Sequence, residues 1–360
     1  MFINRSVALK VCLALAAWGP SLPAGDRAAT ITTFDVPGAA GTFGNSINQA
    51  GTIAGYWVDT ANVYHGFLSA SGGAITTFDA PGAATTSGLG TLAVSINTSG
   101  AVAGYYADAS NVYHGFVLSA AGAFTTIDVP GTGTAPGKNT FPQSIGDTGA
   151  VTGRYQDTSA TTHGFFLSAG GTFTMFDAPG AGAAESQGTY AESTNTAGTV
   201  AGYYADPFFV YHGFQLSSGG TVTEFDAPGA GTGPDQGTFA SSMNAAGTIA
   251  GNYTNGGTHG FLRASDGTVT SFDVTAAGPL GTLPTAINTA GAITGYYGLK
   301  STAYRGFVRS AKGTSATFHV SGAGTKNYLG TFPCGINQSG AIAGYYTDAG
   351  GTAHGFVRTP

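Results

Sequence analysis

The chain has 360 residues, 42% of them hydrophobic and 12% aromatic, which is enough for a substantial core. Charged residues make up only 8%, far below the roughly 25% usual in soluble domains, so Thr, Ser, Asn, Gln and backbone must cover the surface. A net charge of −6 argues against nucleic acid and anionic membrane surfaces as partners.

The first elements are a positive start at Arg5 and Lys10, an apolar run from Val11 to Trp18, and small residues near Ala24. This pattern predicts a secretory signal peptide over 1–24, its apolar run too short to span a bilayer, and a secreted protein, extracellular or periplasmic, without a membrane span. Cleavage removes Cys12 and leaves Cys334 alone, so no internal disulfide is expected.

Residues 25–360 read as one domain built from a single repeat. His65, His114, His163, His212, His259, Arg305 and His354 each precede Gly-Phe, at intervals of 49, 49, 49, 47, 46 and 49 residues. Two further markers recur in the same order. FDAPG or a variant gives Asp35, Asp79, Asp128, Asp177, Asp226, Asp273 and His319; INxxG or a variant gives Asn48, Asn97, Gly146, Asn195, Asn244, Asn288 and Asn337.

The chain opens its repeats with a lone strand, Thr30 to Pro37, and ends on three, so 1 + 3 strands would complete a last unit. Each full copy between them holds four short segments rich in Thr, Val, Tyr and Phe, separated by Asn and Gly turns, with no helical period. Four strands in about 48 residues is the arithmetic of a β-propeller blade. The predicted fold is therefore all-β: a single seven-bladed β-propeller with four antiparallel strands per blade, fastened by the first strand. A parallel β-helix is the competing architecture, but its coils are usually half this length.

Within a copy, Asn at the INxxG turn bonds its own backbone and Gly accepts a positive φ. The next strand ends in a pair such as Tyr105-Tyr106, whose members face opposite sides. The second is aromatic in every copy and suits the layer between blades. The first becomes Arg154 and Asn252, which points to a wetter place near a loop face. The His-Gly-Phe histidines, on third strands, would lie on the order of 10 Å apart, too far for one zinc, so they read as structural. The FDAPG carboxylates anchor a turn; single carboxylates in separate blades cannot build a calcium cage. No metal or other cofactor is expected.

The words SINQAGTIAGYW and NVYHGFLSASGGAITTFDAPGA, with their copies, resemble the bacterial extracellular HAF-repeat family over about 330 residues. The resemblance implies a secreted propeller and no reaction, so no catalytic residue is carried over. Strand order is also similar to WD-type propellers, without the Trp-Asp pair. No sialidase box, G-x-S-x-G elbow, H-E-x-x-H or phosphate loop occurs.

A site is expected where copies differ. One loop set, joining each fourth strand to the next blade, holds Lys138, Glu185, Gln187, Asp235, Gln236, Lys326, Asn327 and Tyr328. The other, joining second to third strands, holds Asp59, Asp108, Asp157, Asp206, Phe208, Phe209 and Lys300, and both should share one face. Arg154 and Glu192 depart most and are expected to meet at the channel mouth. Together with Tyr105, Tyr203, Asn252 and Tyr328 they form the candidate ligand-binding set. The expected role is a monomeric scaffold binding a carbohydrate, cell-surface or protein ligand, with a glycan or a cell-surface protein as partner. The alternatives are a polysaccharide lyase or glycoside hydrolase, and a purely structural repeat protein.

Overall fold

The computed structural model describes residues 29–132 and 140–360. The expected signal peptide and the loop holding Lys138 lie outside them. Among the described residues every regular element is a strand, and the 28 strands pair as seven antiparallel sets of four, three of which are joined into one twelve-stranded sheet by single parallel pairings, Thr162 with Gly188 and Tyr211 with Gly237.

The first meander shows the local logic. Gly41–Ile47 pairs with Ile53–Val58, then Tyr64–Ser69, then Ile75–Phe78. At the first turn the Thr52 amide donates to Asn48 Oδ1 at 2.9 Å, and Gly51 takes a φ of 80°. This is the expected turn chemistry. Asn48 Nδ2 also donates to the carbonyl of Asn97 in the next unit at 3.3 Å, a contact between units that the repeat pattern does not announce.

Units two to six repeat this plan at 91–127, 140–176, 188–225, 237–272 and 282–318. The last is composite. Thr331–Ile336, Ile342–Thr347 and Ala353–Thr359 are completed on the outer edge by Thr30–Phe34, with Thr30 facing Thr359 and Phe34 facing Gly355.

The core of each unit centres on the Phe of His-Gly-Phe. Phe67, Phe116, Phe165, Phe214, Phe261, Phe307 and Phe356 are at most 1% exposed. Between units, Arg263, Arg309 and Arg358 lie over Phe225, Phe272 and Phe318 of the preceding unit, 4.9, 4.5 and 5.2 Å from the ring centroids. These arginines cover aromatic faces that would otherwise meet water.

The two loop sets meet as expected. Gly88 donates to the Asn62 carbonyl at 2.6 Å, Ser186 to Ala160 at 3.2 Å and Tyr328 to Thr302 at 2.9 Å, so both sets lie on one face. The INxxG turns lie at the opposite ends of the strands.

Candidate binding site between the innermost strands

The innermost strand of every unit breaks register at the same place, between Gly44 and Ser46, Ala93 and Ser95, Pro142 and Ser144, Ala191 and Ser193, Ala240 and Ser242, Pro284 and Ala286, and Pro333 and Gly335. One residue is left over each time: Asn45, Val94, Gln143, Glu192, Ser241, Thr285 or Cys334. A β-bulge re-aims such a side chain, and here it turns these residues into the space between the innermost strands. The next residue often ties the neighbouring unit: Ile96, Ile145, Thr194, Met243 and Ile287 donate their amides to Ser46, Ser95, Ser144, Ser193 and Ser242 at 3.1 to 3.4 Å. Those bonds hold the bulges at a fixed depth.

Two cavities meet at this belt. The one toward the loop face measures about 870 Å³, and the one toward the INxxG turns about 390 Å³. Asn45, Val94, Gln143, Glu192 and Ser241 line both and form the waist between them. The burial of the Cys334 thiol at this belt pushes its pKa up to about 12, so it stays protonated.

Aromatic rings wall the larger cavity. Phe43 stacks on Tyr56 at 4.0 Å, Tyr105 meets Phe141 edge-on at 5.3 Å, and Tyr64, Tyr113, Tyr190 and Tyr345 complete the lining rings. Arg154 projects among them from the second strand of unit three. Its Nη1 donates to Glu192 Oε1 at 3.2 Å, and its guanidinium carbon lies 5.7 Å from the Phe141 ring and 5.6 Å from that of Tyr190. The two side chains are 30% and 19% exposed. Burial raises the Glu192 pKa, an effect the adjacent guanidinium partly opposes. Burial likewise raises the Tyr105 pKa, so its phenol remains a neutral hydrogen-bonding group. Thr162 also lines the cavity, at the strand position where four other units carry Tyr64, Tyr113, Tyr211 and Tyr304.

Of the six residues expected at the site, three are brought together. Arg154, Glu192 and Tyr105 line the larger cavity. Tyr203 stacks on Tyr190 at 4.9 Å and Asn252 is half-buried in unit five, and neither is among the lining residues. The physical reason is a local aromatic cluster. Phe239 packs 5.3 Å from Tyr203 and 4.6 Å from Tyr211 and fills that side. Tyr328 is 45% exposed on its loop, 6.4 Å from Tyr304, and is also outside the lining set. Sequence reasoning missed Phe43, Phe141, Tyr190, Asn45 and Gln143. A signal existed for the rings: Phe43, Phe141, Tyr190, Phe239 and Phe332 occupy one position of the innermost strand, two residues before the bulge.

The histidines lie further out and form pairs. His65 Nδ1 is 2.9 Å from Asp79, and His114 Nδ1 is 3.0 Å from Asp128. Each ring stacks on the second member of the aromatic pair, as His65 on Trp57 at 4.4 Å and His114 on Tyr106 at 5.1 Å. The loop Asp closes the other side, 3.7 Å from His114 Nε2 in unit two, while its Oδ1 accepts from the Ser110 and Val112 amides at 2.8 Å. Those amides hold the Asp108 carboxyl below the usual range, Val112 most strongly. In unit six Leu299, Arg305 and His319 replace Asp, His and Asp together, whereas unit five lacks the loop Asp, with Asn255 in its loop, and keeps the His259–Asp273 pair at 2.8 Å. Among the described residues no group of three or more His, Cys, Asp or Glu side chains could hold a metal ion. Replacing His114 by Ala should cost about 1–2 kcal/mol of stability and leave ligand binding at the central cavity unchanged. A melt run beside a binding titration checks this, and lost binding without lost stability would contradict it.

No protein-family model matches the chain, and no curated protein matches it. Solved structures do. The β-propeller domain of the Trilobed protease from Pyrococcus furiosus, described as having an open velcro topology, matches 88% of this chain and 95% of its own at 8% identity, with a TM-score of 0.56. The BP39L lectin from Burkholderia pseudomallei matches 88% of this chain and 98% of its own at 9% identity, with a TM-score of 0.51. At that identity the likeness speaks for the fold alone, which is a β-propeller.

Proposed function

We propose that the chain is a closed seven-bladed propeller of the HAF-repeat type, exported through its 1–24 leader, that binds a carbohydrate in the cavity on its loop face. Closure is supported by the pairing of Thr30–Phe34 with Ala353–Thr359. It is also supported by Asn337 Nδ2, which donates to the Asn48 carbonyl at 3.1 Å just as Asn48 does to Asn97.

The observation that carries the binding reading is the lining of the 870 Å³ cavity: the half-buried rings of Tyr105, Phe141, Tyr190 and Tyr345, with Phe43 and Tyr56 buried among them, around amide and phenol groups. Flat aromatic faces stack on the C–H surface of a sugar ring, and a few fixed polar groups set its orientation. The glycan would be displayed on a cell surface or a polysaccharide. Tyr105→Ala and Arg154→Ala should each weaken binding to immobilised glycans about tenfold or more, since a lost stacking ring or buried charged hydrogen bond is worth about 1.5–3 kcal/mol. Undiminished binding in both variants would remove the site from this cavity.

One feature favours turnover as a second reading: the raised pKa of Glu192, a carboxyl beside an arginine in a partly dry cleft. Among the described lining residues, however, Glu192 is the only carboxyl, and hydrolysis of a glycosidic bond ordinarily uses two. Release of sugar products from polysaccharide, abolished in Glu192→Gln, would establish the lyase or hydrolase reading.

A further inference from the structure

The charge arrangement of the cavity narrows the ligand class, on the premise that the cavity binds carbohydrate. Of the described residues that line it, two carry charge, Arg154 and Glu192, and they are paired with each other at 3.2 Å. The guanidinium is held further by the rings of Phe141 and Tyr190 at 5.7 and 5.6 Å. One guanidinium nitrogen is therefore committed to a partner inside the protein, and the charge of the cation is balanced there. The other polar side chains, among them Asn45, Gln143, Tyr105 and Ser241, are neutral amides, phenols and hydroxyls, which match sugar hydroxyl groups as donors and acceptors.

We propose that the site selects neutral glycans and excludes uronic and sialic acids, with Glu192 acting as the built-in competitor for Arg154. A sugar carboxylate entering this space meets one cation that is already neutralised and one anion of its own sign. It must either displace Glu192 from Arg154, leaving a half-buried carboxylate without its partner, or lose its own hydration without a counter-charge. A neutral ring meets neither penalty. The pair then serves specificity: Arg154 remains able to donate to a hydroxyl through nitrogens not used by Glu192, while Glu192 guards against anions.

Two features of the sequence fit this division of roles. Arg154 replaces a tyrosine found at the same position in five other units, and Glu192 is the one acidic residue among the seven bulge positions. They stand in adjacent units, so each departure neutralises the other.

The test is an array carrying matched neutral and carboxylated versions of the same oligosaccharides, read with the wild-type chain and with Glu192→Gln. The wild type should bind the neutral member of a pair about tenfold or more tightly than the acidic one, the scale of an unfavourable like-charge contact. Glu192→Gln, which keeps the side-chain shape and frees Arg154, should shrink that ratio at least about tenfold by gaining affinity for the acidic member. A wild type that prefers the acidic member overturns the selectivity and leaves the carbohydrate reading intact. An unchanged ratio in a Glu192→Gln protein with a wild-type melt also overturns it. Absence of binding to every glycan overturns the carbohydrate reading and the selectivity with it.

Discussion

Removal of Thr30 to Pro37 is expected to leave the chain molten or aggregated at temperatures where the intact protein is folded. The strand pairs with Ala353–Thr359 through five residues, and Phe34 and Val36 are 5% and 3% exposed. Phe34 also meets Phe67 of the first unit at 6.0 Å, so one short segment holds the last unit and the first. Burying Phe34, Val36 and part of Ile31 is worth about 5 kcal/mol in apolar transfer alone. That is comparable with the whole stability of many domains, about 5–15 kcal/mol. The deletion also bares the edge of Ala353–Thr359, an invitation to pairing between chains. Circular dichroism melts and size-exclusion chromatography read the outcome. Because Thr30 faces Thr359, the same segment attached behind Pro360 through a short turn should restore the melt. A truncated protein that melts as cooperatively and as high as the intact one would refute closure.

The second large effect concerns glycines within strands. Gly202 opposes Ala191 immediately before the Glu192 bulge, and a Cβ there would overlap the Tyr190 carbonyl oxygen and come within 2.9 Å of the Phe214 ring. Neither neighbour can yield, since one is backbone and the other a fully buried ring. Gly202→Ala should therefore cost about 3 kcal/mol or more, the upper end of overpacking penalties. It should also lower glycan binding by moving Glu192. Gly72 offers the contrast: a Cβ there meets nothing within 4 Å, and its φ is not in the left-handed region, so Gly72→Ala should be close to neutral. Equal melts for the two variants would contradict the role given to the bulge.

Much of the architecture was legible because it is periodic. The spacing of His-Gly-Phe, FDAPG and INxxG marks the units, and turn chemistry separates the strands. What remained hidden is set by contacts between units. Asn48 reads as a turn residue from its own neighbours, but its bond to Asn97 depends on where the next unit sits. The bulge is hidden for another reason. Asn45, Val94, Gln143, Glu192, Ser241, Thr285 and Cys334 share no residue type, so nothing in the strand announces that one residue is left over. Simple alternation then assigns the following side chains to the wrong face. Glu192 was found because it is charged, whereas Asn45 and Gln143 did not stand out. Asn252 and Tyr203 show the converse: being at the same repeat position as Arg154 does not bring a residue to the cavity when Phe239 fills the space beside it.

A crystal structure of the protein soaked with the oligosaccharide that ranks first on the glycan array decides whether the central cavity holds the sugar. A sugar ring is expected stacked within about 4 Å of the aromatic wall formed by Tyr105, Phe141 and Tyr190, with hydroxyls near the Arg154–Glu192 pair. Ligand density confined to the outer His–Asp pairs or the space between blades, with the central cavity empty of sugar, would contradict that placement.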